Sequence, residues 1–343
     1  MKTLQNSRRV IACLALVALG VPGCEKKELP VVTVYTALDE EFSKPMFEQF
    51  TKATQVEVRS KYDVESTKTV GLTEAILAER QRARCDLFWN NEILNTLRLE
   101  RAGLLRPYTP PGVDAFPASV RSPQGLWYGF AARARVLIVN TNQVPEERRP
   151  KSIVDLTDPQ WHDRCGIAKP LFGTTATHAA CLFAAWGDDK AKDFFREVKR
   201  NARIKSGNRQ VAEAVGGNSM AFGLTDTDDA LVELEKGSPV AIIYPDQGPE
   251  QLGTLYIPNT LALIKNSPHE KEAEKLMDYL LSADVEARLA AGPSAQIPLR
   301  PGVAASKKVK TPKEVRAMNV DWTAAAAKWD ATAEFLKSEF TAP

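Results

Sequence analysis

The chain has no His-Glu-x-x-His metal helix, no Gly-x-Ser-x-Gly nucleophile turn, no phosphate loop of the Walker type and no Cys-x-x-Cys pair. Each of these arrangements sets a reactive group at a fixed spacing, so their joint absence argues against an enzyme. Histidine is scarce: the three, His162, His178 and His269, are scattered, and His269 reads as a first-turn residue of a surface helix. Cysteine is scarce as well, and Cys85, Cys165 and Cys181 share no close metal-ligand spacing. Cys165 and Cys181 are the pair to test for a disulfide, with buried apolar thiols as the alternative. No basic block with interleaved aromatics stands out; Lys307-Lys308-Val309-Lys310 reads as a solvated loop, and nucleic acid is not an expected partner.

Long apolar runs are also missing, apart from one near the start. Val10 to Val21 would rise roughly 18 Å as a helix, against roughly 30 Å of bilayer hydrocarbon, so it does not read as a membrane span. Lys2, Arg8 and Arg9 precede it and Pro22-Gly23-Cys24 follow, which is the order of an export signal. Val21-Pro22-Gly23-Cys24 resembles the bacterial lipobox, with Pro22 an unusual occupant. This predicts a signal peptide over 1–23, lipidation at Cys24 and a polar tether over 24–29, hence an exported chain anchored to a bacterial membrane on its periplasmic or extracellular face. An ordinary signal peptide with a chance Cys is the alternative. With the three leader charges removed, 42 basic residues stand against 43 acidic ones, a net charge of −1.

What remains, about 320 residues, exceeds what one core usually serves, so two lobes are expected. Val31-Val32-Thr33-Val34-Tyr35 is a β-branched run suited to a strand covered on both faces. Ser43 and Pro45 read as the cap and first turn of a helix carrying Met46, Phe47 and Phe50 on one face. Strands at 56–59 and 86–89 and a helix at 67–82 continue the alternation, which predicts an α/β lobe with a mainly parallel sheet. Ligands on such sheets sit beyond the carboxyl ends of the strands, which draws attention to Thr36, Asp39, Asn91 and Glu92. Arg135 to Asn140 reads as a strong strand, and 167–169, 175–186, 189–201, 221–225 and 240–244 form a second αβ series. The extended segment 253–264 is longer than one strand needs and is expected to cross between lobes. Ser267-Pro268-His269-Glu270 has the form of a helix start.

The order of Asp86-Leu87-Phe88-Trp89-Asn90, Ala132-Arg133-Ala134-Arg135-Val136, Gly223-Leu224-Thr225-Asp226, Tyr256-Ile257-Pro258-Asn259 and Ile297-Pro298-Leu299-Arg300 resembles the ferric-iron-binding branch of the extracellular solute-binding proteins of ABC importers. The likeness runs from about residue 30 to 340. It implies an α/β, two-lobed periplasmic-binding-protein fold with hinge strands and an interlobe ligand cleft, lobe 1 being 30–130 plus 256–300 and lobe 2 being 131–255 plus 301–343. It also implies a small-molecule or metal ligand, permease subunits as membrane partners and a monomer without a resident cofactor. Members of that branch hold iron with two adjacent tyrosines, often with a His and a Glu. Here the tyrosine positions fall on Asp228-Asp229, the His position at or near Asp39 and the Glu position on Asn91, beside Glu92.

Thr225-Asp226-Thr227-Asp228-Asp229 is the densest run of oxygen side chains, and it precedes a helix over 230–235. Capping that helix is one account of it. The other is a cleft where Asp39, Glu92, Asp226, Asp228 and Asp229 hold a metal such as Fe3+, with a synergistic anion, or the ammonium of an organic solute. Gly173, Thr174 and Thr175 open a helix that could hold an anion, and Asn208 opens the next. In the family the matching loop is similar to an anion cradle. Tyr244 ends a strand and is a further candidate, as are Trp89, Trp127 and Tyr128 for the pocket wall. Alternatives for the solute are a phosphonate, a sugar phosphate or a polyamine, and for the role, a sensor docking on a receptor.

Overall fold

The computed structural model describes residues 29–63 and 67–341. The leader, Cys24 and nearly all of the tether expected from the sequence lie outside the described residues. The first series runs β1 (Val31–Thr36), α1 (Glu40–Thr54), β2 (Glu57–Tyr62), α2 (Val70–Ala78), β3 (Leu87–Asn90), α3 (Leu94–Arg101) and β4 (Leu105–Arg106). A long strand, β5 (Tyr128–Asn140), leads into β6 (Cys165–Ala168), α4 (Gly173–Trp186), α5 (Asp188–Asn201), β7 (Arg203–Lys205), α6 (Asn208–Gly216), β8 (Phe222–Asp226), α7 (Thr227–Glu235) and β9 (Val240–Ile243). The chain then returns through β10 (Tyr256–Ile264), α8 (Glu270–Leu280), α9 (Ala283–Ala291) and α10 (Trp322–Thr341).

The strands form one continuous sheet in the order β2-β1-β3-β10-β5-β8-β6-β7. Its outer parts are parallel, as expected for α/β series, and its centre is antiparallel, because there the chain crosses between halves. β5 makes the crossing. Its first half, Tyr128 to Ala134, pairs with β10, and its second half, Arg135 to Asn140, pairs with β8 and β9. All 13 of its residues are buried; Tyr128, Phe130 and Ala131 join a core of the first half, and from Ala134 onward side-chain alternation divides the apolar residues between two further cores. Ala134, Val136 and Ile138 face one, and Leu137 and Val139 face the other.

Helix boundaries differ from the sequence expectation in α1, α2, α7 and α8: α2 covers Val70–Ala78 where 67–82 was expected, α7 starts at Thr227 where residue 230 was expected, and α1 and α8 differ at their starts. α1 begins at Glu40, and Glu40 and Glu41 favour its first turn electrostatically. Ser43 is therefore inside the helix and donates back to the carbonyls of Leu38 and Asp39, while Pro45 lies in the helix interior. α8 begins at Glu270 instead of near Ser267. Asp86, fully buried, accepts the backbone N–H of His269 at 3.0 Å and lies 2.9 Å from its Nδ1, which holds His269 just outside the helix.

Cys85, Cys165 and Cys181 are free, buried thiols. Cys165 and Cys181 face different apolar clusters, so the disulfide considered from the sequence does not form. Trp89, Trp127 and Tyr128 are core residues as well.

Candidate ligand-binding cleft

Where the two halves face each other, the ends of β1, β3, β6 and β8 and the starts of α4, α6 and α7 line a narrow polar cavity. Its lining includes Asp39, Lys68, Asn91, Arg133, Lys169, Gly173, Thr174, Thr175, Asn208, Asp226, Asp228 and Asp229. Nine of the residues singled out from the sequence are thus brought together by chain segments as much as 190 positions apart, Asp39 to Asp229.

Two arginines organise the floor. Arg133 and Arg135 are two apart in β5, so they share a face. Arg135 is fully buried and spends one guanidinium nitrogen on Asp226 Oδ1 at 2.7 Å, Asn208 Oδ1 at 3.0 Å and Thr174 Oγ1 at 3.3 Å; the other donates to Thr175 Oγ1 at 3.1 Å. Asp226 Oδ2 accepts from Thr174 Oγ1 at 2.5 Å and Asn208 Nδ2 at 3.1 Å. Asp226 therefore does not cap α7; it holds the starts of α4, α6 and α7 together around Arg135. The capping account fails for this residue, whose side chain makes no cap hydrogen bond.

Arg133 is 3 % exposed and less fully used. Its Nη1 lies 3.2 Å from Asp228 Oδ2 and 3.8 Å from Asp226 Oδ2, while Nε and Nη2 have no partner. Asn91 Oδ1, 2 % exposed by residue, is likewise unpartnered. A buried polar group left unpaired costs about 1–3 kcal/mol, so these groups favour anything in the cavity that satisfies them. The first-turn N–H groups of α4 and α6 also have no intrahelical acceptor and point outward from the helix starts. Gly173, at φ +57°, turns the chain into α4 where another residue would be strained, and its N–H donates to the Lys68 carbonyl at 3.0 Å across the cleft.

On the acidic side, burial pushes the Asp228 carboxyl above its ordinary range, against the pull of Arg133. Burial does the same to Asp229, reinforced by Asp228 and Asp226, and more strongly. Carboxylate oxygens of Asp226, Asp228 and Asp229 come within 4.8 Å of one another. Asp39 closes the mouth: Lys68 and Arg209 both pair with it, Arg209 at 2.9 Å, and their charges hold its carboxyl below the usual range despite burial.

Three candidates sit elsewhere. Glu92 is fully buried and accepts from the backbone N–H groups of Leu94 and Asn95, from Asn90 Nδ2 and from Thr177 Oγ1, which leaves it nothing to offer a ligand. Thr36 accepts from Leu38 N at 3.3 Å, and Tyr244 accepts from Lys310 N at 2.8 Å. Lys68, Arg133, Arg135 and Arg209 were not singled out. Two arginines at alternate positions of an otherwise apolar strand were the available signal, since a buried guanidinium requires carboxylates facing it.

The family described as bacterial extracellular solute-binding protein matches residues 95–328. Iron uptake protein A2 of Synechocystis is 24% identical over 318 residues, covering 88% of this chain and 88% of that protein. The solved structure of iron-bound HitA from Pseudomonas aeruginosa superposes with a TM-score of 0.81 at 24% identity, covering 90% of this chain and 99% of that one. AfuA from Actinobacillus pleuropneumoniae, solved with exogenous fructose-6-phosphate bound, gives 0.81 at 19% identity, with 92% and 99% covered. The chain belongs to the bacterial extracellular solute-binding proteins and has their two-lobed fold, built to capture a solute for an ABC importer.

Proposed function

We propose that the captured solute carries an oxyanionic group, such as a phosphate or phosphonate ester, seated on Arg133 and the starts of α4 and α6. The observation that carries this reading is the buried Arg133 guanidinium with Nε and Nη2 unpartnered at the cavity. A cationic or hydrogen-bonding part of the same solute would face Asp228 and Asp229. Ligand residues in this reading are Asn91, Arg133, Thr174, Thr175, Asn208, Asp228 and Asp229, with Asp39, Lys68 and Arg209 at the mouth. Lobe 1 comprises 30–130 plus 256–300 and lobe 2 131–255 plus 301–343, the protein acts as a monomer, and Cys24 carries a lipid that anchors it beside its permease.

A second reading is a ferric ion with a synergistic anion, favoured by the proximity of the three aspartates and by relatives named for iron. Arg133 weighs against it, because a guanidinium between Asp226 and Asp228 competes for the oxygens a hard cation needs. A thermal-shift panel of ferric salt, inorganic phosphate, phosphonates, sugar phosphates and polyamines separates the readings. A ligand at 100 times its Kd adds roughly 2.7 kcal/mol of stability. A shift with an oxyanion and none with ferric salt supports the proposal; a shift with ferric salt or polyamine and none with any oxyanion overturns it.

A further inference from the structure

Besides β5 and β10, a third segment joins the halves of the sheet, and one buried carboxylate ties it to β5. Ala131 in β5 has φ +43°, a left-handed value uncommon for alanine. Opposite it, the pairing with β10 shifts register between Ile257 and Asn259. A residue at such an irregularity loses its ladder partner, and the Ala131 N–H donates instead to Glu286 Oε1 at 2.9 Å. The same oxygen accepts from Leu299 N at 2.7 Å, and Oε2 accepts from Arg300 N at 3.0 Å. Between these points Ala132 and Ile297 exchange both backbone hydrogen bonds, at 2.7 and 2.6 Å.

Glu286 is 1 % exposed, and among the described residues no Lys or Arg side chain forms an ion pair with it. A buried charge held only by amides is costly unless those amides are themselves in need of an acceptor. Its neighbours on α9, Val285 and Leu289, belong to the core of the first half, whereas Ala295 and Ile297 belong to a core of the second. The carboxylate therefore reaches from an element rooted in one half to the backbone that crosses into the other.

We infer that Glu286 is a positioning residue for solute capture: it fixes the backbone at the hinge and so sets the rest angle between the lobes. The inference needs lobes that move on this hinge and is independent of which solute they close upon. Hinge motion concentrates backbone rotation in a few residues. Three amides gathered on one carboxylate restrict that rotation at Ala131, Leu299 and Arg300 together.

The test is Glu286→Gln in the otherwise unchanged protein. The amide keeps one acceptor oxygen and turns an NH2 toward backbone donors. Hydrogen exchange is expected to rise about tenfold or more in residues 129–134 and 297–300, with β6 and α5 protected as in the unsubstituted chain. Small-angle X-ray scattering without added solute is expected to show a larger radius of gyration. Glu286→Asp, one methylene shorter with its charge kept, is expected to give a smaller change in both and serves as the test if the Gln variant does not fold. Unchanged exchange at the hinge overturns the inference. So does faster exchange spread evenly through β6 and α5, which would make Glu286 a general stabiliser, and so does faster hinge exchange with an unchanged scattering curve.

Discussion

Glu92 and Asp228 are both buried carboxylates close to the start of a helix, α3 and α7 respectively, and both looked like ligand residues in the sequence. Their surroundings differ. Glu92 collects four donors from its own chain, two of them backbone N–H groups at the start of α3, one Asn90 and one Thr177 from α4. Asp228 has Arg133 at 3.2 Å and its own neighbour's amide at 3.2 Å, and its carboxyl is pushed upward by burial. A carboxylate whose lone pairs are all occupied holds the fold together. One that is buried, under-partnered and on a cavity wall has capacity left for a ligand.

Breaking the structural side of this contrast should have the largest effect. Arg135→Met removes the nearer cation from Asp226, leaving Arg133 at 3.8 Å, and frees Thr174, Thr175 and Asn208. An uncompensated buried charge costs about 3–5 kcal/mol, so urea unfolding should show a midpoint lowered accordingly. A loss below about 1 kcal/mol, ordinary for an exposed pair, would mean that Arg135 does not organise the helix starts.

Next comes Glu92→Gln, expected to cost about 1–3 kcal/mol by leaving a buried donor unpaired. Affinity for whichever solute gives a thermal shift should stay within about twofold, since Glu92 does not line the cavity. Lost affinity with intact stability would place Glu92 among the ligand residues after all.

Asp229→Asn sharpens the other side, with a smaller effect on stability. A carboxyl that holds its proton more tightly folded than unfolded stabilises the fold below the ordinary carboxylate range, and that contribution is lost as pH rises toward the raised folded value. Asparagine has no proton to lose. Unfolding midpoints of the variant should therefore fall less between about pH 4 and pH 8 than those of the unsubstituted chain; an equal or steeper fall would refute the assignment.

The contrast also explains what could be read from sequence. Strand and helix order, the crossing at β5 and the Asp226 to Asp229 run were legible because periodicity and local composition carry them. The partners were not. Arg135 meets Asp226 at a separation of 91 residues, which no local pattern reveals, whereas three of the four donors to Glu92 lie within three residues of it and only Thr177, 85 residues away, is distant. Gly173 to Thr175 line the cavity, yet both threonine hydroxyls turn inward to Arg135 and Asp226, and the Gly173 amide is taken by the Lys68 carbonyl. Helix starts shifted for a similar reason, as Asp86 captures His269 from 183 residues away.

At the cleft mouth the smallest effect is expected. Arg209 bridges from α6 to Asp39 and Glu41, and its side chain is 39% exposed. Arg209→Ala should cost no more than about 1 kcal/mol, and the difference should shrink as salt is raised. A difference that does not respond to salt would argue for packing in place of charge.

The central claim, that the cleft receives an oxyanion through Arg133, is tested most directly by titration calorimetry on the unsubstituted protein and on Arg133→Met. The ligands are ferric ion supplied without phosphate or carbonate, and the oxyanion that gives the largest thermal shift. The account predicts saturable binding of the oxyanion that disappears in Arg133→Met, and no binding of ferric ion alone. Ferric ion that binds alone, and binds more tightly once Arg133 no longer competes for Asp226 and Asp228, would contradict it.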